Sequence, residues 1–243
     1  MTAESGGTRV VVEHAQLVLG GRTILGHLGG GQSTDPGEGI NLTLDGGAPV
    51  ALTGPSGSGK TVLCLVLAGA MAVTRGRVWI EGPGGAELVN QASSRTGMTG
   101  LIMQTHGLVG GLTAEENVAL PLQARNLPRA DAMRRTMDAL VGVGLSRHAG
   151  RPVDELSGGE RQRVGIARGL AGDPLVLIAD EPTAELDPEN RARVLALLIA
   201  HAHRGRVVVV ASDDPDVVAA CGRVVVLDRG NVSSDHGAQI VAG

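Results

Sequence analysis

The chain has 243 residues, 25 acidic against 21 basic for a formal charge of −4, and 42% hydrophobic residues, yet no Phe, no Tyr and a single Trp, Trp79. That composition excludes a disordered chain, a general nucleic-acid binder, which carries a basic excess, and a single-strand binder, which stacks bases on aromatic platforms. The interior must be built from aliphatic side chains, in one large α/β domain or two small ones.

Residues 1–7 show no basic segment followed by an apolar run, so no secretory leader is expected. No apolar run reaches the 18 or more residues of a membrane span, and the longest, 62–73, is broken by Gly69. Both point to a cytoplasmic protein. Residues 9–13 read as a strand, with 17–19 and 23–25 continuing an antiparallel sheet. Residues 26–39, with Gly29-Gly30-Gly31 and Asp35-Pro36-Gly37, read as a flexible loop or insertion. Ile40, Leu42 and Leu44 then alternate with polar residues, so the sheet resumes. Residues 50–52 form a short buried strand that runs into glycine-rich sequence at Gly54, and an apolar helical run follows. Trp79 lies in a further strand, where sheet packing is the favoured reading over contact with a base.

Residues 91–150 differ in character. A helix at 114–122 is expected to end at Pro121 and the Pro128 turn. A second, amphipathic helix carries Met133, Met137, Leu140 and Val141 on its apolar face. From 156 onward helices at 158–171 and 189–203 alternate with strands at 175–179 and 207–211, and 224–227 forms a last strand. That alternation implies a mostly parallel, doubly wound sheet. Cys64 and Cys221 lie in apolar contexts and do not read as a disulfide framework.

Gly54-Pro55-Ser56-Gly57-Ser58-Gly59-Lys60-Thr61 fits the phosphate-binding loop pattern between a buried strand and a helix. Glycines let backbone amides converge on phosphates, and the following helix adds its positive end. Lys60 would neutralise β/γ-phosphate charge and the Thr61 hydroxyl would ligate Mg²⁺. A chance glycine-rich turn is the competing reading, but Lys60 is the sole lysine in the chain. Leu175-Val176-Leu177-Ile178-Ala179-Asp180-Glu181 reads as a buried strand ending in carboxylates. Asp180 can hold Mg²⁺ through water, and Glu181 can orient or deprotonate an attacking water. Ser157 with Glu160 is a capping box, so Gly158-Gly159 open a helix whose N-terminus can receive an anion. The chain already has one phosphate loop, which suggests that this second site serves a nucleotide held by another subunit. Asp187-Pro188 reads as a helix cap.

In this order, residues 54–61, Gln104, Leu156-Ser157-Gly158-Gly159-Glu160, 175–181 and Ala184-Glu185-Leu186-Asp187 resemble the ATPase subunit of ATP-binding cassette (ABC) transporters. The resemblance implies a P-loop NTPase fold: an α/β core with a mostly parallel sheet, an antiparallel N-terminal β subdomain and an inserted helical subdomain. Residues 1–243 would form a single domain, 1–103 and 156–243 making the core with its β subdomain and 104–155 the helical subdomain. It further implies ATP and Mg²⁺ as ligands, and two subunits, identical or different, that sandwich two ATP molecules head to tail. A separate integral-membrane permease would hold them at the inner face of the cell membrane. Gln104 would sense γ-phosphate and metal, and Asp187 would communicate across the dimer. Gln104-Thr105-His106-Gly107-Leu108 and Leu112-Thr113-Ala114-Glu115-Glu116-Asn117-Val118-Ala119-Leu120-Pro121-Leu122 are similar to the lipoprotein-release and macrolide-export branch. Cell-division ATPases share much of this pattern.

Two departures stand out. Where the family places a histidine against the γ-phosphate, this chain has Asp213, and His201 and His203 do not align with that position. An anionic Asp213 would repel the phosphate unless protonated or metal-bridged, so hydrolysis is expected to be slow; a helix cap, with Asp214-Pro215 opening the next helix, is the alternative reading. The second reading of function is accordingly a hydrolysis-impaired, nucleotide-gated regulatory cassette. A soluble DNA-repair ATPase is set aside because no long heptad run or cysteine-rich insertion occurs. The family's aromatic partner for adenine is also missing: the position falls near Leu19, and His27 is the only ring nearby.

Overall fold

In the computed structural model, which describes residues 7–26, 38–89 and 97–237, the chain builds two sheets. β1 (Arg9–Leu19) pairs antiparallel with β2 (Arg22–Leu25) and β3 (Ile40–Asp45). β3 shows why these residues form a half-buried sheet: Ile40, Leu42 and Leu44 are buried while the residues between them face solvent. The chain leaves for the second sheet through β4 (Val50–Thr53) and α1 (Lys60–Leu67), then returns as β5 (Arg75–Gly82), which pairs with β1, and β6 (Gly85–Leu88).

The remaining elements are β7 (Thr99–Ile102), α2 (Ala114–Ala124), α3 (Arg129–Gly142), α4 (Gly158–Ala171), β8 (Val176–Asp180), α5 (Pro188–Ala202), β9 (Val207–Ala211), α6 (Pro215–Ala219), β10 (Arg223–Asp228) and β11 (Asn231–Gly237). The second sheet has six strands in the order β11-β10-β4-β9-β8-β7, parallel throughout except for the antiparallel β10–β11 pair. Every residue of β8 and β9 is buried, as expected of strands covered on both faces. Successive residues serve opposite faces. Val176, Ile178, Val207 and Val209 join the aliphatic cluster shared with α1 and the antiparallel sheet, whereas Leu177, Ala179, Val208 and Val210 join the cluster formed with α2 to α6.

Three expectations need correction. The sheet does not stop at 224–227: β11 adds an edge strand whose residues are mostly exposed and carry no apolar alternation, so its sequence lacks a strand signal. α2 does not end at Pro121 but runs to Ala124; Leu122, fully buried, anchors the turn that follows the proline. On α3 the buried stripe is Ala132, Thr136 and Leu140, spaced by four, while Met133 and Val141 are 67% and 60% exposed. Periodicity alone favoured the larger apolar residues, but the face of α3 that packs against α2 and α4 carries Ala132 and Thr136 beside Leu140. Of the 26–39 segment, residues 27–37, with His27, lie outside the described residues.

Candidate active site

Strand register gathers the site. Leu52 of β4 and Asp180 of β8 both pair with Ala211 of β9, so three parallel strands end side by side. The segments leaving their carboxyl ends must converge where doubly wound sheets bind ligands. They do: Lys60, Thr61, Gln104, Asp180, Glu181 and Asp213 line one cleft of about 430 Å³, together with loop residues 56–59 and Ile24 of β2.

The loop after β4 requires glycine at its first position. Gly54 has φ +140°, and a Cβ there would run into the carbonyl oxygen of Leu227. At the loop's far end α1 begins without a capping side chain and without an acidic residue in its first turn. By contrast Thr113, Ser157 and Asp187 each cap their own helix. The open amides of α1 thus face the cleft with uncompensated positive character, which favours an anion. The buried Ser58 hydroxyl beside them has no partner.

At the end of β8 the Asp180 side chain is buried, and Glu181 turns into the left-handed region at φ 47°. Ser212 Oγ donates to Glu181 Oε2 at 3.0 Å, and Gln162 Nε2 donates to the Glu181 carbonyl at 3.4 Å. Burial is the main cause that lifts the Glu181 carboxyl above its ordinary range. The Ser212 bond opposes this, while the charges of Asp213 and Asp180 add to it.

Asp213 sits differently from the sequence expectation. The cap falls where Asp214-Pro215 opens α6, Asp214 accepting from the Asp216 amide at 2.9 Å, and Asp213 itself is not a lone charge. Asp213 Oδ2 instead accepts from Lys60 Nζ at 2.8 Å, and Oδ1 accepts from the Gly54 amide at 3.1 Å. Lys60 also donates to the Gly54 carbonyl. Burial pushes the Asp213 carboxyl up, but the Lys60 and Gly54 bonds outweigh it and hold the group below the usual carboxylate range. Its charge is therefore neutralised by pairing rather than by protonation.

Gln104 is exposed in the loop after β7. Arg168 of α4 grips that loop, donating to the carbonyls of Gly107 at 2.7 Å and His106 at 2.8 Å. Ser157, Gly158 and Gly159 do not line the cleft. Ser157 accepts from the Glu160 amide at 3.3 Å while Glu160 returns a bond to the Ser157 amide at 2.8 Å, the capping box expected from sequence. The Glu185 carboxylate lies against Gly158, where a Cβ would displace it. Glu185 in turn lies 3.7 Å from His106 Nε2, so the 184–187 segment bridges the Gln104 loop and the start of α4. Sequence reading missed Ser212, Gln162 and Arg168, whose roles exist only through tertiary contact. Trp79 pairs across from Val11 in the antiparallel sheet, donates to Glu81 Oε1 at 2.9 Å, and does not line the cleft. Both cysteines are free and buried, and burial pushes the Cys221 thiol up to about 11.

Residues 38–184 match the sequence model of the family described as ABC transporter. The methionine import ATP-binding protein MetN of Caulobacter vibrioides is 39% identical over 80% of this chain, which spans only 60% of that protein's length. The lipoprotein-releasing system ATP-binding protein LolD of Chromohalobacter salexigens is 38% identical over 82% of this chain and 85% of its own. A solved dimeric ATP-binding cassette in a post-hydrolysis state, bound to ADP and Pi, superposes with a TM-score of 0.81 at 27% identity, covering 95% of this chain and 99% of that one. Fold, cleft and kinship agree that this chain belongs to the ABC transporter family, as an ATP-binding subunit with the P-loop NTPase fold.

Proposed function

We propose that the chain binds and hydrolyses ATP to power a separate integral-membrane permease from the cytoplasmic face, working as a dimer with an identical or related subunit. The observation that carries this reading is the convergence of Lys60, Thr61, Gln104, Asp180 and Glu181 on one cleft beside the uncapped start of α1. Lys60 and the loop amides that line the cleft, from Ser56 onward, hold the phosphates. Glu181, fixed by Ser212, accepts the proton of the water that attacks the γ-phosphorus as the bond to the β-phosphate oxygen breaks. Thr61, Asp180 and Gln104 would supply a hydroxyl, a carboxylate and an amide oxygen, hard donors suited to Mg²⁺. When bound, Mg²⁺ would neutralise developing phosphate charge. The separation of Ser157, Gly158 and Gly159 from the cleft supports their service to a partner's nucleotide. Residues 104–155 act as the helical subdomain that carries motion to the permease.

Phosphate release by wild type, Lys60→Ala and Glu181→Gln tests the reading. Glu181→Gln is expected to bind ATP while losing about 10²–10⁴-fold in turnover, and Lys60→Ala to lose binding. Wild-type turnover in Glu181→Gln would remove Glu181 from this role. The second reading, a slowly hydrolysing regulatory cassette, is favoured by the Lys60–Asp213 pair alone. It predicts faster turnover in Asp213→His with the permease present, and equal rates would set it aside.

A further inference from the structure

Asp213 offers the cleft what a terminal phosphate would offer: an anionic group with two oxygens on two separate donors. One oxygen rests on the Lys60 ammonium at 2.8 Å and the other on the Gly54 amide at 3.1 Å. The carboxylate lies at the hydrolytic end of the cleft, since the neighbouring Ser212 holds Glu181 and the Asp213 charge acts on Glu181 directly. Lys60 is nearly enclosed, with a side chain 12% exposed, whereas that of Asp213 is 55% exposed and borders solvent.

A phosphate-loop lysine serves both the β- and γ-phosphates. A diphosphate takes only the β share, so the carboxylate can stay where it is and complete the shell around Lys60. A triphosphate brings a second anion to the same ammonium. The carboxylate must then leave, or remain as a like charge beside the γ-phosphate, and either outcome costs binding energy.

We propose that Asp213 is a built-in occupant of the γ-phosphate position that sets the cleft's selectivity, so that the unpartnered chain holds a nucleoside diphosphate better than a triphosphate. This rests on the reading of the cleft as a nucleotide site. It assigns Asp213 a part in ligand choice that is separate from the rate of hydrolysis.

The test is calorimetric titration of ADP and of a non-hydrolysable β,γ-imido ATP analogue, each with Mg²⁺, into wild type, Asp213→Asn and Asp213→Ser. In both variants the triphosphate-to-diphosphate ratio of dissociation constants should fall about tenfold, chiefly through tighter triphosphate binding. Pyrophosphate and tripolyphosphate should repeat the pattern without a base. Thermal melts add a readout independent of affinity: without ligand the variants should melt lower than wild type, and the triphosphate should raise their midpoints more. An unchanged ratio, or weaker triphosphate binding in the variants, overturns the proposal while leaving the nucleotide site intact. Failure of wild type and both variants to bind either nucleotide overturns the site itself and the proposal with it.

Discussion

Around the phosphate end of the cleft one ammonium faces three carboxylates: Lys60 against Asp180, Glu181 and Asp213. Lys60, Thr61, Asp180 and Glu181 were legible in the sequence because their chemistry depends on short spacings next to a strand end. Ser212 and Arg168 were not, because a serine after a strand or an arginine on a helix becomes specific only when folding brings it to Glu181 or to the Gln104 loop. At the opposite end of the cleft, where the proposed nucleotide would place its base, the sequence reads as a lack of rings. No Tyr or Phe exists to stack on adenine, Leu19 is 46% exposed, and β2 brings only the aliphatic Ile24 to the cleft. Base stacking on a ring is worth about 1–3 kcal/mol in nucleic-acid complexes, and among the described residues no ring lines the cleft to supply it. Competition binding should therefore give ATP and GTP affinities within about fivefold of each other, a gap of roughly 1 kcal/mol. A preference for ATP well beyond that would reveal a recognition contact outside Leu19 and Ile24.

Among the elements, α5 carries a titratable group that the cleft does not use. His201 is 1% exposed, and its Nδ1 accepts from Arg204 Nη2 at 2.6 Å, so Nε2 carries the proton and donates to the Pro174 carbonyl at 2.9 Å. Burial is the main cause that lowers its pKa. Arg204 and Arg206 lower it further, while the Pro174 carbonyl and Asp173 oppose them. The folded chain thus keeps a neutral imidazole that the unfolded chain protonates below about pH 6.5. Because the unfolded state then binds more protons, stability should fall as pH drops from about 7 through 6.5 toward the lower folded pKa. Urea midpoints across this range should show the decline in wild type and lose it in His201→Leu, whose stability is lower throughout because Pro174 loses its donor. The helices also show where pattern reading stops. On α4 and α5 caps and apolar spacing gave the element to within a residue or two. On α3 they gave the helix but not its buried face, since Met133 and Val141 point outward and Thr136 inward.

In the whole molecule the six-stranded sheet is a partition between two aliphatic cores, and the cleft opens at the edge where its parallel strands end. The alternation of strands and helices disclosed that plan, whereas the exposed strand β11 gave no apolar signal. The same economy in rings leaves the protein one strong chromophore. Trp79 sits on β5 with its indole N–H on Glu81 and the Arg77 guanidinium 5.2 Å above its ring. With no tyrosine to blur it, ultraviolet emission from the native chain reports on a single place in the antiparallel sheet. Denaturation followed by fluorescence should track the loss of that sheet, and its midpoint should match circular dichroism if both cores melt together. Nucleotide added to the folded protein should leave the emission maximum in place, because Trp79 does not line the cleft. A shift on adding ATP would mean that the antiparallel sheet moves when the cleft fills, making the chain its own optical sensor of that motion.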